Sequence, residues 1–163
     1  MIAAVLAVVV GCLLPPVDAP VSRGFEAPAC RWCPGHRGLE YASAPGQAVR
    51  AAAAGTVTFS GAVAGAQYLV VLHDDGLRAT YGGVVDPTVG AGQRVVGGQR
   101  IGRTVGRLHF GLRDGETYLD PAPMLAFRAG RPRLVPIDGV GRRPGRGGPL
   151  GCPAEVRVRG RPR

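Results

Sequence analysis

The 163-residue sequence predicts an all-β fold, and three observations predict it. Short segments alternate apolar and polar residues with a period of two. Turn residues (Gly, Asp, Pro) punctuate those segments at close intervals. No segment sustains the 3.6-residue apolar period of a helix. Together they imply about seven strands in a compact antiparallel β-sheet core, a sandwich or a curled sheet, with short loops.

The elements follow in chain order. "GQAVRAAAAGTVTFSGAV" contains two strands separated by a turn near Ala54 and Gly55. "QYLVVLH" is an apolar strand, "DDG" (74–76) a hairpin turn and "LRATYGGV" its partner. "VGAGQRVVGGQRIGRT" repeats a V-x-x-G-Q spacing at Val89 and Val95, which predicts two short strands joined by tight glycine turns. A biotinyl- or lipoyl-carrier domain has a similar pattern, but it carries its cofactor on Lys, and this chain has no Lys. "RLHFGLR" and "ETYL" flank Asp114 and Gly115 as a further hairpin. "DPAPMLAF" is the one short helix predicted, opened by Asp120 and Pro121.

Three parts are expected: an export segment over 1–16, a β domain over 17–127 and a disordered Pro/Gly/Arg-rich basic tail over 128–163. The charge follows that division. Every basic residue is Arg; residues 1–127 hold 10 Arg against 9 acids, and 128–163 hold 10 Arg against Asp138 and Glu155. The core is near neutral and the tail lacks interleaved aromatics, which argues against nucleic acid as the partner. The N-terminal apolar run of 14 residues, ended by Pro15, is shorter than the ~20 needed to span a bilayer. It suits the apolar region of a secretory signal, so the protein is expected outside the cytoplasm, secreted or associated with the cell envelope; a buried N-terminal segment is the remaining reading. "VVGC" also resembles a lipobox, in which Cys12 would carry a lipid, the one expected membrane attachment.

The stretch "ACRWCPGHRGLE" concentrates the chemistry. Cys30 and Cys33 lack the second C-x-x-C of a zinc ribbon. They lack the adjacent His of a c-type haem site and the βαβ context of a thioredoxin. In an exported chain they are expected in a structural disulfide, and pairings 30–33, 30–152 and 33–152 are all open to Cys30, Cys33 and Cys152. His36 and Glu40 lie four apart beside a Pro-Gly turn, and His109 lies on a strand. Two histidines and a carboxylate with a fourth position open are a known catalytic zinc set.

Read in order, "GHRGLEYASAPGQAVRAAAAGTVTFSG", "YLVVLHDDGLRATYGGV", "VGAGQRVVGGQRIG" and "LHFGLRDGETYLDP" resemble the lysostaphin/LytM-type zinc metalloendopeptidases, the peptidoglycan hydrolases, in their short exported actinobacterial form. The resemblance covers roughly residues 17–127. It implies one Zn²⁺ held by His36, Glu40 and His109, with Glu40 standing where the family has Asp. It implies that Arg107 and Gly83 replace the family's two catalytic histidines. Arg107 is then a candidate oxyanion stabiliser, being a fixed cation that cannot act as a base. Tyr81 is a weaker catalytic candidate, and His73 is a structural residue rather than a ligand. The segment from Ile101 to His109 is shorter than the family's usual loop, which trims one wall of the cleft. Two functions follow. One is hydrolysis of peptidoglycan cross-links by a zinc-activated water. The other is a catalytically degenerate module that binds cell wall or regulates other cell-wall hydrolases. In either case a monomer is expected.

Overall fold

In the computed structural model, residues 12–30, 32–128 and 150–151 are described. Among the described residues the architecture is β, apart from one 3-10 turn. The strands are β1 (Val21–Arg23), β2 (Leu39–Tyr41), β3 (Ala48–Arg50), β4 (Gly55–Val63), β5 (Ala66–His73), β6 (Arg78–Val85), β7 (Arg94–Val95), β8 (Arg100–Asp114), β9 (Thr117–Leu119), β10 (Phe127–Arg128) and β11 (Leu150–Gly151). Nine form a single antiparallel sheet in the order β1-β2-β8-β6-β5-β4-β7, with β3 and β9 pairing the two ends of β8. There are more strands than the seven expected because β1 and β2, which lie outside the segments predicted as strands, complete the sheet.

The alternation of side chains divides this sheet into two faces. Leu39 and Tyr41, Leu69 and Val71, Ala79 and Tyr81, and Leu108, Phe110 and Leu112 are buried on one face as the core. The residues between them lie on the other face, which is open.

The turns that set the register reuse one device. Ala44–Gln47, Gly90–Gln93 and Val96–Gln99 each close with a backbone bond from the Gln N–H to the first carbonyl of the turn. Each Gln side chain then accepts a bond from the N–H of the first residue. The third position is Gly at positive φ in all three (Gly46, Gly92, Gly98), as a type II turn requires. Two of these turns are the V-x-x-G-Q repeats; the third, "APGQ", is the same structure without the valine.

The predicted turn at 74–76 is present, with Leu77 N–H bonded to Asp75 Oδ1. The predicted helix is reduced to the 3-10 turn Ala122–Met124, whose Ala122 N–H is accepted by Asp120 Oδ1.

Backbone hydrogen bonds cross both expected boundaries. Leu13 is 1% exposed, its N–H bonds Met124 O, and its carbonyl accepts Ala126 N–H. Leu14 N–H bonds Ala52 O, and Arg50 N–H bonds Pro16 O. Residues 12–16, assigned from sequence to an export segment ending at 16, are thus integral to the domain; the segment before them lies outside the described residues. Cys12 is disulfide-bonded, so in this structure it has no thiol to carry a lipid. At the other end, Leu150–Gly151 pairs antiparallel with Phe127–Arg128. The stretch beyond 127 therefore is not disordered throughout, as expected from composition. The rest of that tail, Cys152 included, lies outside the described residues.

His73 closes β5, 3% exposed, with neither ring nitrogen hydrogen-bonded. Burial pushes its imidazole below the usual value, against a smaller opposing pull from Asp75 and Asp74. The unfolded chain therefore takes up this proton first as pH falls. Stability present above about 6.5 is lost as pH drops through the unfolded value toward the folded one. His73→Leu should keep the fold and flatten that loss. The urea midpoint of the parent should drop further between pH 7.5 and 5.5 than that of the variant; equal drops would refute this.

Candidate metal centre

The open face carries one transverse row of residues. Glu40 on β2 pairs His109 on β8, which pairs Gly82 on β6, which pairs Tyr68 on β5. Residues 69 apart in sequence are thereby brought side by side. His36, just before β2, completes the group.

His36, Glu40 and His109 each offer one ligand atom, and these atoms lie within 4.8 Å of one another. His36 Nε2 is 3.9 Å and His109 Nδ1 3.6 Å from Glu40 Oε2. The two imidazoles meet edge to face with centroids 5.2 Å apart.

His36 is held at both its backbone and its ring. Its backbone exchanges two hydrogen bonds with Glu26. Its Nδ1 lies 2.7 Å from Gly24 O, which makes Nδ1 the protonated donor and leaves Nε2 free to face Glu40. The loop between these anchors is closed by the Cys30–Cys33 disulfide, one of the three pairings left open by the sequence. Cys30 and Cys33 are thus a staple beside the cluster and contribute no ligand.

His109 is held by the absence of side chains around it. A Cβ at Gly38 would come 2.9 Å from its Cε1, and one at Gly111 would come 3.4 Å from its Nε2. Burial, and next the neighbouring His36, hold the His109 imidazole below its ordinary pKa, while Glu40 pulls it upward. The ring is therefore neutral near pH 7, the form a metal ligand needs.

The donor set fits zinc. Tetrahedral Zn²⁺ with bonds of about 2.0–2.1 Å spaces its donors about 3.3 Å apart, so a small side-chain rotation closes these gaps. Zn–N and Zn–O ligation by two imidazoles and one carboxylate is the chemistry of catalytic rather than structural zinc.

A cleft of about 910 Å³ opens over the cluster, lined among others by Tyr68, Gly83, Arg107 and His109. Arg107 is exposed, with Nε 3.8 Å from Glu40 Oε1, and its side chain belongs to the same strand face as His109. Tyr81 does not reach the cleft. It is fully buried, with its hydroxyl accepting the Ala52 N–H at 2.8 Å, and burial pushes the phenol's pKa far up. Its catalytic assignment is therefore withdrawn. Ala79 and Tyr81 share the buried parity of β6, and that alternation was the available signal. The tyrosine that does line the cleft is Tyr68, whose ring covers Gly82 beside His109. His73 lies outside the cluster, as expected.

A sheet with this donor set on its open face defines a metallopeptidase-like β domain, and comparison with known proteins gives the family. The family model "Peptidase family M23" matches residues 34–121, and the chain belongs to that family. The chain is 36% identical over 135 residues to the uncharacterized protein Rv2891 of Mycobacterium tuberculosis and to Mb2915 of Mycobacterium bovis. The match covers 75% of this chain and 53% of each relative, so the chain spans about half the length of the curated relatives it matches. Among solved structures it is similar to Helicobacter pylori Csd3, with a TM-score of 0.61 at 26% identity over 77% of this chain and 37% of that one. A zinc-containing peptidase from Vibrio cholerae aligns with a TM-score of 0.54 at 24% identity, over 68% and 39% of the two chains. The catalytic domain of lysostaphin from Staphylococcus simulans aligns at 0.57 and 22%, over 65% and 91%. The last two likenesses establish the fold.

Proposed function

We propose that this chain is an exported, monomeric, zinc-dependent peptidase domain that acts on the peptide cross-links of peptidoglycan. The observation carrying this reading is the convergence of His36 Nε2, His109 Nδ1 and Glu40 Oε2, with His36 Nδ1 committed to Gly24 O. These three residues would hold the ion. Zinc, when bound, lowers the pKa of a coordinated water to about 7 and polarises a carbonyl. The protein's own contribution is to orient both imidazoles and to keep that of His109 neutral. Arg107 places a cation with several donors at the cleft mouth, where it can hold a substrate oxygen. Tyr68 walls the opposite side of the cleft. Membership of family M23 supports a peptide as the substrate, and the resemblance to the lysostaphin/LytM-type hydrolases supports one from the cell wall.

The purified protein should contain one zinc per chain, and His36→Ala and His109→Ala should each reduce this to near none while remaining folded. Atomic absorption on dialysed samples is the measurement, and absence of stoichiometric metal in the parent would end this reading. Cleavage of purified sacculi, abolished by a chelator, tests the substrate.

A second reading is supported by a separate observation. At the two positions where the family has its catalytic histidines, this chain has Arg107 and Gly83, and Gly83 has φ +79° with no room for a side chain. The chain would then be a cell-wall-binding or hydrolase-regulating module that keeps the cleft without the turnover. Zinc-loaded protein that binds sacculi but releases no peptide would establish this second reading.

A further inference from the structure

We infer that the open face carries an anion site beyond the metal centre, formed by Arg78 and Arg113, that takes a carboxylate of an extended peptide. Arg78 on β6 and Arg113 on β8 are direct cross-strand partners. Like charges placed opposite each other destabilise a sheet, so an unneutralised pair is kept against a cost. Among the described residues, neither has a carboxylate within 4.0 Å. Arg78 Nε is buried and has no hydrogen-bond partner, although it belongs to a group that is charged at any physiological pH. The Nε is sealed within the sheet face, so the terminal guanidinium nitrogens, which have no protein acceptor among the described residues, are the donors that a ligand in the groove would meet.

The surroundings specify that acceptor. A groove of about 630 Å³ runs over the pair, and its lining includes Arg37, Phe59, Tyr118 and, at one end, His109. Arg37 and Arg113 both approach the Tyr118 ring, with their guanidinium carbons 5.5 and 6.0 Å from its centroid. Both guanidinium groups are thus within cation–π reach of one ring. Planar forks suit a carboxylate, which accepts two parallel N–H bonds.

His109, Gly111 and Arg113 follow one another on one face of β8. Four residues of strand place the arginine pair about 13 Å from the metal centre. An extended peptide lying along the groove with its scissile carbonyl at His109 spans that distance in about four residues. The site would select substrates bearing an acidic group at that remove. The peptide nature of the ligand rests on the proposed function; the anion site rests on the arginine pair itself.

Binding to chelator-treated protein separates the two, because hydrolysis plays no part in it. The probes are N-acetylated tetra-alanine with a free C-terminal carboxylate and the same peptide as its C-terminal amide, titrated by amide NMR. The acid should bind about tenfold more tightly than the amide, the gain expected of a charge-assisted hydrogen bond. That preference should shrink below about twofold in Arg78→Gln/Arg113→Gln. The double variant should also unfold at an equal or higher urea concentration than the parent, since it relieves repulsion; a lower midpoint would make the pair structural and overturn the inference. Equal affinity for acid and amide, no binding of either, or a preference that survives the double variant would also overturn it. Inorganic phosphate binding more tightly than the acid would overturn the assignment of a carboxylate.

Discussion

Arg107→His is expected to raise sacculus cleavage by at least about 10²-fold, the usual contribution of one correctly placed acid–base or oxyanion group. Gly83→His is expected to give no gain and to cost stability. At both positions the chain departs from the histidines that family resemblance implies, yet their surroundings differ. Arg107 is 80% exposed, lines the cleft and has its Nε 3.8 Å from Glu40 Oε1, so an imidazole there points into the cleft. Gly83 sits where the β6–β8 register slips, between Gly82 and Val84, with φ at +79°. A Cβ there would lie 2.9 Å from Arg107 O. A side chain would have to bear a left-handed backbone, at roughly 1–3 kcal/mol, and displace the neighbouring strand as well. The lost histidine at 83 is therefore built into the backbone, while the one at 107 is a side-chain exchange. Release of soluble peptide from sacculi by zinc-loaded protein, with denaturation midpoints alongside, checks both halves. A silent Arg107→His variant that still binds zinc would favour the non-catalytic reading.

The parts of this molecule legible in the sequence are those set by local chemistry. Hairpins declare themselves through turn residues, as at Asp74–Gly76 and Asp114–Gly115, where glycine takes the positive φ. The turn at "APGQ" is less legible because it lacks the valine of the repeat, whereas the Gly-Gln pair makes its hydrogen bonds and positive φ. The site is less accessible. Glu40 and His109 become neighbours only through the long-range pairing of β2 with β8, which no local pattern encodes, and the resemblance supplied that link. Nothing local marks Gly24, whose contribution is a backbone carbonyl, or Gly38 and Gly111, which serve by lacking side chains. The N-terminal run was ambiguous on physical grounds, since an export segment and a buried edge of a core are both short and apolar.

That ambiguity leads to the second large expected effect, at Leu13. The side chain is 1% exposed within the core cluster, and its two backbone bonds tie the N-terminal segment to residues 124–126. Leu13→Ala should cost 2–5 kcal/mol, the range for emptying a buried leucine site. Against a domain stability of about 5–15 kcal/mol, that is a large share. Beginning the chain at residue 17 removes more. Leu13, the bonds to Ala52 and Arg50 and the Cys12 disulfide all go together, and a disulfide alone typically contributes about 2–4 kcal/mol. Such a chain should show no cooperative urea transition, whereas one beginning at residue 12 should retain it. Circular dichroism across a urea series distinguishes them. If the chain from residue 17 unfolds at the parent's midpoint, Leu13 and Leu14 are passengers. If it does not, removal of an export segment at residue 16 would destroy the domain it releases, and any processing site must lie before Cys12.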